Sequence, residues 1–317
     1  MTIRCAVIGV GYLGKFHARK YASLDDAELV AVVDPNPETR QQLADELHCK
    51  AVADHHDILD DIDACSIAAP TTLHHQIATD CLRRGIHVLV EKPITTTVAE
   101  ADQLIELAKA NRAILQVGHL ERFNAAVLAL GQQIRQQTLF IESHRLAPFK
   151  PRATDVNVIL DLMIHDIDII LDFVKSDITD LRASGASVLS DSIDIANARL
   201  EFANGCVANV TASRVSQKSE RKMRLFQRDT YIGIDFQEKT ADLYRTSDRE
   251  MFPGVPDIEH QQIKGQESDA LLDEIRDFLH AIRSGQAPTV SGEDGRRALA
   301  TAMEITQLLT RPHQLGH

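Results

Sequence analysis

No run in this 317-residue sequence approaches the roughly 20 uninterrupted apolar residues that a membrane-spanning helix needs. Its most hydrophobic window, Val156 to Val174, is broken by Asp161, His165, Asp166, Asp168 and Asp172. The opening MTIRCAVIGVG lacks the long apolar core of a signal peptide. Cysteine is sparse: Cys5, Cys49, Cys65, Cys81 and Cys206 are odd in number, scattered and without a CxxC pair. That pattern fits reduced thiols better than a disulfide framework or a zinc site. Positive charge is also short, with Lys and Arg at 34 against Asp and Glu at 46, for a formal charge of -12. No broad positive field is available to trade for counterions, which excludes nonspecific nucleic-acid binding. Internal repeats and low-complexity linkers are absent. Together these absences predict a cytoplasmic protein with neither membrane nor nucleic acid among its partners.

What is present is an ordinary globular composition, 44% hydrophobic and 25% charged, in a chain longer than one core usually organises. The first third alternates short apolar runs with helical patterns. Ile3–Ile8, Glu28–Val33, Ala64–Ala68, His87–Val90 and Ile114–Val117 lack polar alternation, as strands buried on both faces do in a parallel sheet. Helices are expected near 12–22, 37–47, 72–84 and 97–111, the last opened by a capping box of Thr97 and Glu100. The repetition predicts an α/β, doubly wound domain over 1–121. Beyond it the pattern changes to helices near 123–136 and 157–174 and strands near 138–146, 178–188, 194–202, 206–214, 221–227 and 230–236. Ala196, Ala198, Leu200 and Phe202 alternate toward one face before the tight-turn pair Asn204-Gly205. Residues 122–317 are therefore expected to form an α+β domain with a mainly antiparallel open sheet. Its C-terminal helices include one with Leu271, Leu272, Ile275, Phe278, Leu279 and Ile282 at helical spacing.

Gly9-Val10-Gly11-Tyr12-Leu13-Gly14 is a GxGxxG directly after a strand and opening a helix. The first glycine permits the tight turn, the second lets backbone approach a pyrophosphate, and the third allows close helix–strand packing. Asp34 follows at the end of the second strand, where a carboxylate accepts from ribose hydroxyls and repels a 2′-phosphate. NAD is favoured over NADP, with Arg40 one turn on as the one nearby cation. Lys92, within Glu91-Lys92-Pro93, lies at the carboxyl end of a parallel strand, the edge where ligands collect in such sheets. Pro93 constrains it to an extended backbone. Asp161 and His165 are four residues apart, a spacing that stacks them on one face of a regular helix. An Asp one turn before a His orients the imidazole and stabilises its protonated form, as a general base requires. The pairs His55-His56 and His74-His75 read as surface histidines rather than metal ligands, since adjacent residues diverge in direction.

These motifs, in this order and spacing, resemble the Gfo/Idh/MocA oxidoreductases: the glycine loop followed by His17, then Pro70-Thr71-Thr72-Leu73-His74, Glu91-Lys92-Pro93, and Asp161, His165 and Asp168. The resemblance implies a Rossmann domain followed by an α/β domain with an open sheet. It implies that Gly9, Gly11, Tyr12, Leu13, Gly14, Asp34, Pro70, Thr71, His74, Glu91 and Lys92 meet the cofactor. Lys92 and His165 would face the nicotinamide and the substrate hydroxyl, with Asp161 assisting; which of the two takes the proton is left open. Many members have Gly between the Asp and His, where this chain has Leu162-Met163-Ile164. The stretches around Gly118–Asn124 and 155–166 look like a subgroup that oxidises the 3-hydroxyl of UDP-N-acetylglucosamine to a 3-keto sugar nucleotide for lipid A synthesis. On that likeness the substrate is a nucleotide sugar held by His17, Arg122, Asn124, Arg152, Asp161 and His165. A homodimer or homotetramer is the expected assembly. Oxidation of a free sugar or inositol, or a sensor that binds NAD without turnover, are the alternatives.

Overall fold

The apolar runs of the first third form a parallel sheet. The computed structural model describes residues 2–135, 137–149, 156–265 and 269–310. Strands β1 (Ile3–Ile8), β2 (Ala27–Val33), β3 (Lys50–Val52), β4 (Ala64–Ile67), β5 (His87–Glu91) and β6 (Leu115–Gly118) lie in the order β3-β2-β1-β4-β5-β6. All pairings between them are parallel. Helices α1 (Gly14–Ala22), α2 (Pro37–Leu47), α3 (Thr71–Arg83) and α4 (Val98–Asn111) form the crossovers. The capping box is made in full: Thr97 accepts from the Glu100 N–H and the Glu100 carboxylate from the Thr97 N–H. Strand β3 was not expected; it is three residues long with none fully buried, too short and too exposed to leave an apolar run.

The second sheet has eight strands in the order β14-β13-β12-β11-β7-β10-β9-β8. These are β7 (Thr138–Leu146), β8 (Ile178–Ala186), β9 (Ile195–Phe202), β10 (Val207–Ser213), β11 (Glu220–Gln227), β12 (Thr230–Asp235), β13 (Thr240–Phe252) and β14 (Val255–Lys264). Only the β7–β10 pairing is parallel, as a mainly antiparallel sheet requires. The hairpin β13–β14 adds two strands that carry no buried apolar alternation beyond Leu243, so nothing in their hydropathy announces them. The short α5 (Ala125–Leu130) precedes this sheet in the chain, and α6 (Ile164–Val174) packs on β7 and β10. Alternate residues of β9 are buried, among them Ala196, Ala198, Leu200 and Phe202.

Contacts divide the chain into two compact units: Met1–Leu120 with Asp269–Leu299, and Glu121–Ser268 with Ala300–His317. The first unit thus includes α7 (Ala270–Ser284) and the start of α8 (Gly292–Thr310), where the sequence reading ran 122–317 as one domain. The cause is the apolar stripe of α7: Ile275, Phe278 and Leu279 share one buried cluster with Val7, Ala18, Tyr21 and Leu89.

One residue of that stripe is out of character. Glu274 is fully buried, and neither carboxylate oxygen has a hydrogen-bond partner among the described residues. Burial foremost, then the charges of Glu91 and Asp277, push its carboxyl well above the usual glutamate range. The native state therefore holds a proton that the unfolded chain releases above about pH 4.3. Its contribution to stability is intact below that pH and declines as pH rises, by about 1.4 kcal/mol per unit until the native group itself ionises. Glu274→Gln removes this dependence, so the variant gains on the parent in urea unfolding between pH 5 and pH 8. Parallel stability curves over that range would contradict a protonated Glu274.

Candidate active site

The strand order reverses direction between β1 and β4, and in open α/β sheets ligands bind outside the carboxyl ends of the strands at such a point. The turn after β1 is Gly9–Gly14 and the turn after β4 leads through Pro70 into Thr71 and α3. Three glycines of the first turn have three different reasons. Gly9 has φ +86°, and a Cβ there would lie 2.6 Å from the Ala69 nitrogen. A Cβ on Gly14 would lie 1.8 Å from the Gly9 carbonyl oxygen. A Cβ on Gly11 would meet nothing within 4 Å, and its φ is not in the left-handed range. The protein's own packing thus does not account for Gly11, whereas a pyrophosphate lying against exposed backbone at a helix N-terminus does. Gly11, Tyr12 and Leu13 are exposed, Tyr12 to 75%. The loop fits a dinucleotide.

Asp34 stands one residue beyond β2. Its carboxylate accepts from the Val10 N–H (3.0 Å) and the Asn36 N–H (2.9 Å), which fixes it beside the glycine turn. A carboxylate has about four lone-pair sites, so acceptor capacity remains for ribose hydroxyls. Arg40 is held back along the chain: its Nη1 donates to the carbonyls of Asp34 (3.2 Å) and Pro35 (3.0 Å).

Glu91 closes β5 and Lys92 follows it, half-buried. His74 is buried with Nδ1 3.0 Å from the Pro93 carbonyl and Nε2 2.8 Å from the Ala69 carbonyl. It ties the backbone beside Lys92 to the turn after β4, rather than lying on the surface, and burial lowers its pKa despite those acceptors. His17, expected to hold substrate, is 1% exposed with both ring nitrogens engaged inside this unit, Nδ1 at 3.2 Å from Ser66 Oγ and Nε2 at 3.0 Å from Glu91 Oε1. Its substrate role is corrected accordingly. His55 and His56 do not diverge. Their ring centroids lie 4.0 Å apart, the planes tilted by 39°, between Asp54 and Asp80, and ligand atoms of Asp54, His55 and His56 lie within 4.8 Å of one another.

In the second unit, Asp161 and His165 were expected on one face of a regular helix. A π-helical turn spans Ile159–Met163 instead, so Asp161 lies in the wide turn and His165 in the first turn of α6. Such turns are frequent at functional sites. Asn157 opens the segment, its Oδ1 accepting from the N–H groups of Ile159 (3.1 Å) and Leu160 (3.0 Å). Both Asp161 and His165 are half-buried, while Asp166 and Asp168 point into the core. The Arg145 guanidinium pairs with Asp166 (2.7 Å) and Glu121 (2.9 Å). The Arg122 guanidinium pairs with Asp168 through two nitrogens (2.6 and 2.8 Å) and with Asp172 (2.8 Å). Buried pairs of this kind fix the helix that carries His165, since losing one partner strands a charge in the core.

These pairs overturn two expectations. Arg122 is 5% exposed and occupied by carboxylates, so it does not serve a diphosphate. Asn124 caps α5, accepting from the Ala126 N–H, and donates to the Phe236 carbonyl, so its amide is also consumed internally. Nothing short of the partner's position betrays this in sequence: Arg122 and Asp168 are 46 residues apart. Arg152 lies outside the described residues.

The profile described as "Oxidoreductase family, NAD-binding Rossmann fold", GFO/IDH/MocA, matches residues 3–119, and the GFO/IDH/MocA C-terminal domain matches 127–231. The chain is 40% identical over 303 residues to UDP-N-acetylglucosamine 3-dehydrogenase of Acidithiobacillus ferrooxidans, covering 96% of each. It is 26% identical to myo-inositol 2-dehydrogenase of Thermotoga maritima, covering 94% of this chain and 93% of that one. A solved structure of the Acidithiobacillus ferrooxidans enzyme superposes with a TM-score of 0.92 at 39% identity, over 98% of both chains.

The glycine geometry separates folding from binding. Gly11→Ala should leave the thermal midpoint within a degree or two and weaken NAD binding at least tenfold by fluorescence titration. Gly14→Ala should lower the midpoint of the protein without ligand. Unchanged NAD affinity in Gly11→Ala would remove the pyrophosphate from this turn.

Proposed function

Because the chain belongs to the GFO/IDH/MocA oxidoreductases and is an NAD-dependent dehydrogenase acting on CH–OH groups, we propose that it oxidises the 3-hydroxyl of UDP-N-acetylglucosamine. The product is the 3-keto sugar nucleotide, made in the cytoplasm for lipid A synthesis. The observation that carries this reading is the 40% identity, end to end, with UDP-N-acetylglucosamine 3-dehydrogenase. The inositol dehydrogenase stands well below it at 26%.

Bound NAD would supply the hydride acceptor for C3 of the sugar. The protein's share is alignment and the proton. The N–H groups at the start of α1 and the backbone of Gly9–Gly14, Tyr12 and Leu13 included, would hold the pyrophosphate. Asp34 accepts from a ribose hydroxyl and disfavours a 2′-phosphate. Pro70 and Thr71 line the other side of the crevice, with His74 fixing the turn.

At the reacting carbon, His165 takes the hydroxyl proton, because an imidazole titrates near neutral pH without a large perturbation. Asp161 stabilises the imidazolium that results. Lys92 donates to the same oxygen and offsets the negative charge that develops as the proton leaves. We assign the assembly as a homodimer or homotetramer, by the resemblance of the open sheet to those of related proteins.

The test is a panel of UDP-sugars, free sugars and inositols incubated with NAD, with keto products identified by mass spectrometry. UDP-N-acetylglucosamine alone should yield a 3-keto product, and Lys92→Ala and His165→Ala should each lower turnover at least a hundredfold with NAD affinity near that of the parent. Oxidation of free sugars or inositols without a UDP group would replace the substrate assignment. Full turnover in both variants would reject the site.

A further inference from the structure

Glu91 is the last residue of β5 and the neighbour of Lys92, yet its side chain turns inward. It is the end of a hydrogen-bonded chain that starts on α1. The Tyr21 hydroxyl lies 2.9 Å from Ser66 Oγ, Ser66 Oγ 3.2 Å from His17 Nδ1, and His17 Nε2 3.0 Å from Glu91 Oε1. Tyr21 and Ser66 are fully buried, and His17 almost so. One arrangement of donors satisfies every member: Tyr21 donates to Ser66, Ser66 to His17 Nδ1, and His17 Nε2–H to the Glu91 carboxylate. Donors aligned head to tail polarise one another, and the chain ends on the Glu91 carboxylate.

The other carboxylate oxygen, Oε2, accepts from the Lys92 backbone N–H at 3.3 Å. Gly118 on β6 closes the remaining side, since a Cβ there would lie 3.1 Å from that same oxygen. Burial alone would raise the Glu91 carboxyl, but the His17 hydrogen bond and charge, then the charge and backbone N–H of Lys92, outweigh it and hold the group below the usual glutamate range. Glu274 of α7, with Asp277 one turn on, feels the Glu91 charge, which adds to burial in pushing it toward its neutral form. Of the two buried carboxyls, Glu91 keeps the charge and Glu274 keeps the proton.

We propose that the chain Tyr21–Ser66–His17–Glu91 is a positioning device for Lys92, in which Glu91 fixes the Lys92 peptide and holds a carboxylate on the residue next to it. The inference rests on the reading of Lys92 as a donor to the reacting oxygen. Its chemical logic is electrostatic: an oxidised nicotinamide is a cation, and a cation brought near an ammonium favours loss of its proton. A fixed carboxylate one residue away opposes that loss, so Lys92 remains a donor and the base must be another group. Neither His17 nor Glu91 touches substrate in this arrangement; both act through Lys92.

The test compares Glu91→Gln, Glu91→Asp, Tyr21→Phe, Lys92→Ala and Glu91→Gln/Lys92→Ala, assayed with NAD and UDP-N-acetylglucosamine from pH 6 to pH 10. Glu91→Gln should lower kcat at least tenfold, with sugar KM and NAD Kd within about threefold of the parent, and should move the alkaline limb of the kcat profile down by about one pH unit. Glu91→Asp should restore the position of that limb, and Tyr21→Phe, remote from Lys92, should lower kcat two- to fivefold with an unchanged melting temperature. In the Lys92→Ala background Glu91→Gln should have no further effect, as residues acting in series require. A large loss in Lys92→Ala with unchanged kcat and pH profile in both Glu91→Gln and Tyr21→Phe would overturn this proposal alone. Near-parental kcat in Lys92→Ala would instead remove the role of Lys92 on which it rests.

Discussion

The constraint on which the first unit depends is the approach of two backbones, the turn after β1 and the turn after β4. No side chain fits between Gly9 and Ala69, where a Cβ would sit 2.6 Å from nitrogen. That approach closes one end of the crevice at the point where the strand order reverses, and leaves Gly11 facing outward with nothing against it. Everything that follows along the carboxyl edge is tied to the same place. His74 bridges the Ala69 and Pro93 carbonyls, so the backbone on one side of Lys92 is referenced to the turn that Gly9 touches. Glu91, held by His17 from α1, references the other side. Lys92 is thus bracketed by contacts reaching back to α1 and α3, the two helices that follow β1 and β4.

The second unit uses a different means to the same end. His165, the base in the proposed reaction, stands at the start of a helix, and helix ends fray unless anchored. Here the anchors are charges: Asp166 and Asp168, inside the core on the first turns of α6, are each matched by a buried arginine. Breaking such a pair costs about 3–5 kcal/mol, so the helix has little freedom to slide or turn. The π turn ahead of it changes the register of Asp161 against His165 without disturbing those pairs.

Much of this was legible in sequence, and the boundary of legibility is physical. Parallel strands buried on both faces announce themselves as apolar runs, and the glycine turn, Asp34 and the capping box of Thr97 and Glu100 are local patterns. Strand β3 and the β13–β14 hairpin bury too little to leave a periodic signal. The π turn depends on which carbonyl each N–H finds, which hydropathy does not record. The roles of Arg122 and Asn124 were misread because a cation or an amide is assigned by its partner, and those partners, Asp168 and Phe236, lie far along the chain. The same holds for His17, visible as a motif residue but with Ser66 and Glu91 as its actual contacts. The apolar stripe of α7 was legible as core; the core it joins was not, because Val7 and Tyr21 belong to the opposite end of the sequence.

A dehydrogenase account reduces to the origin of one hydride. UDP-N-acetylglucosamine carrying deuterium at C3, incubated with NAD and the protein, tests it directly by mass spectrometry of the nicotinamide product. The account predicts reduced cofactor one mass unit heavier and a keto sugar that has lost its label. Unlabelled reduced cofactor, or label retained in the sugar after oxidation, would contradict it.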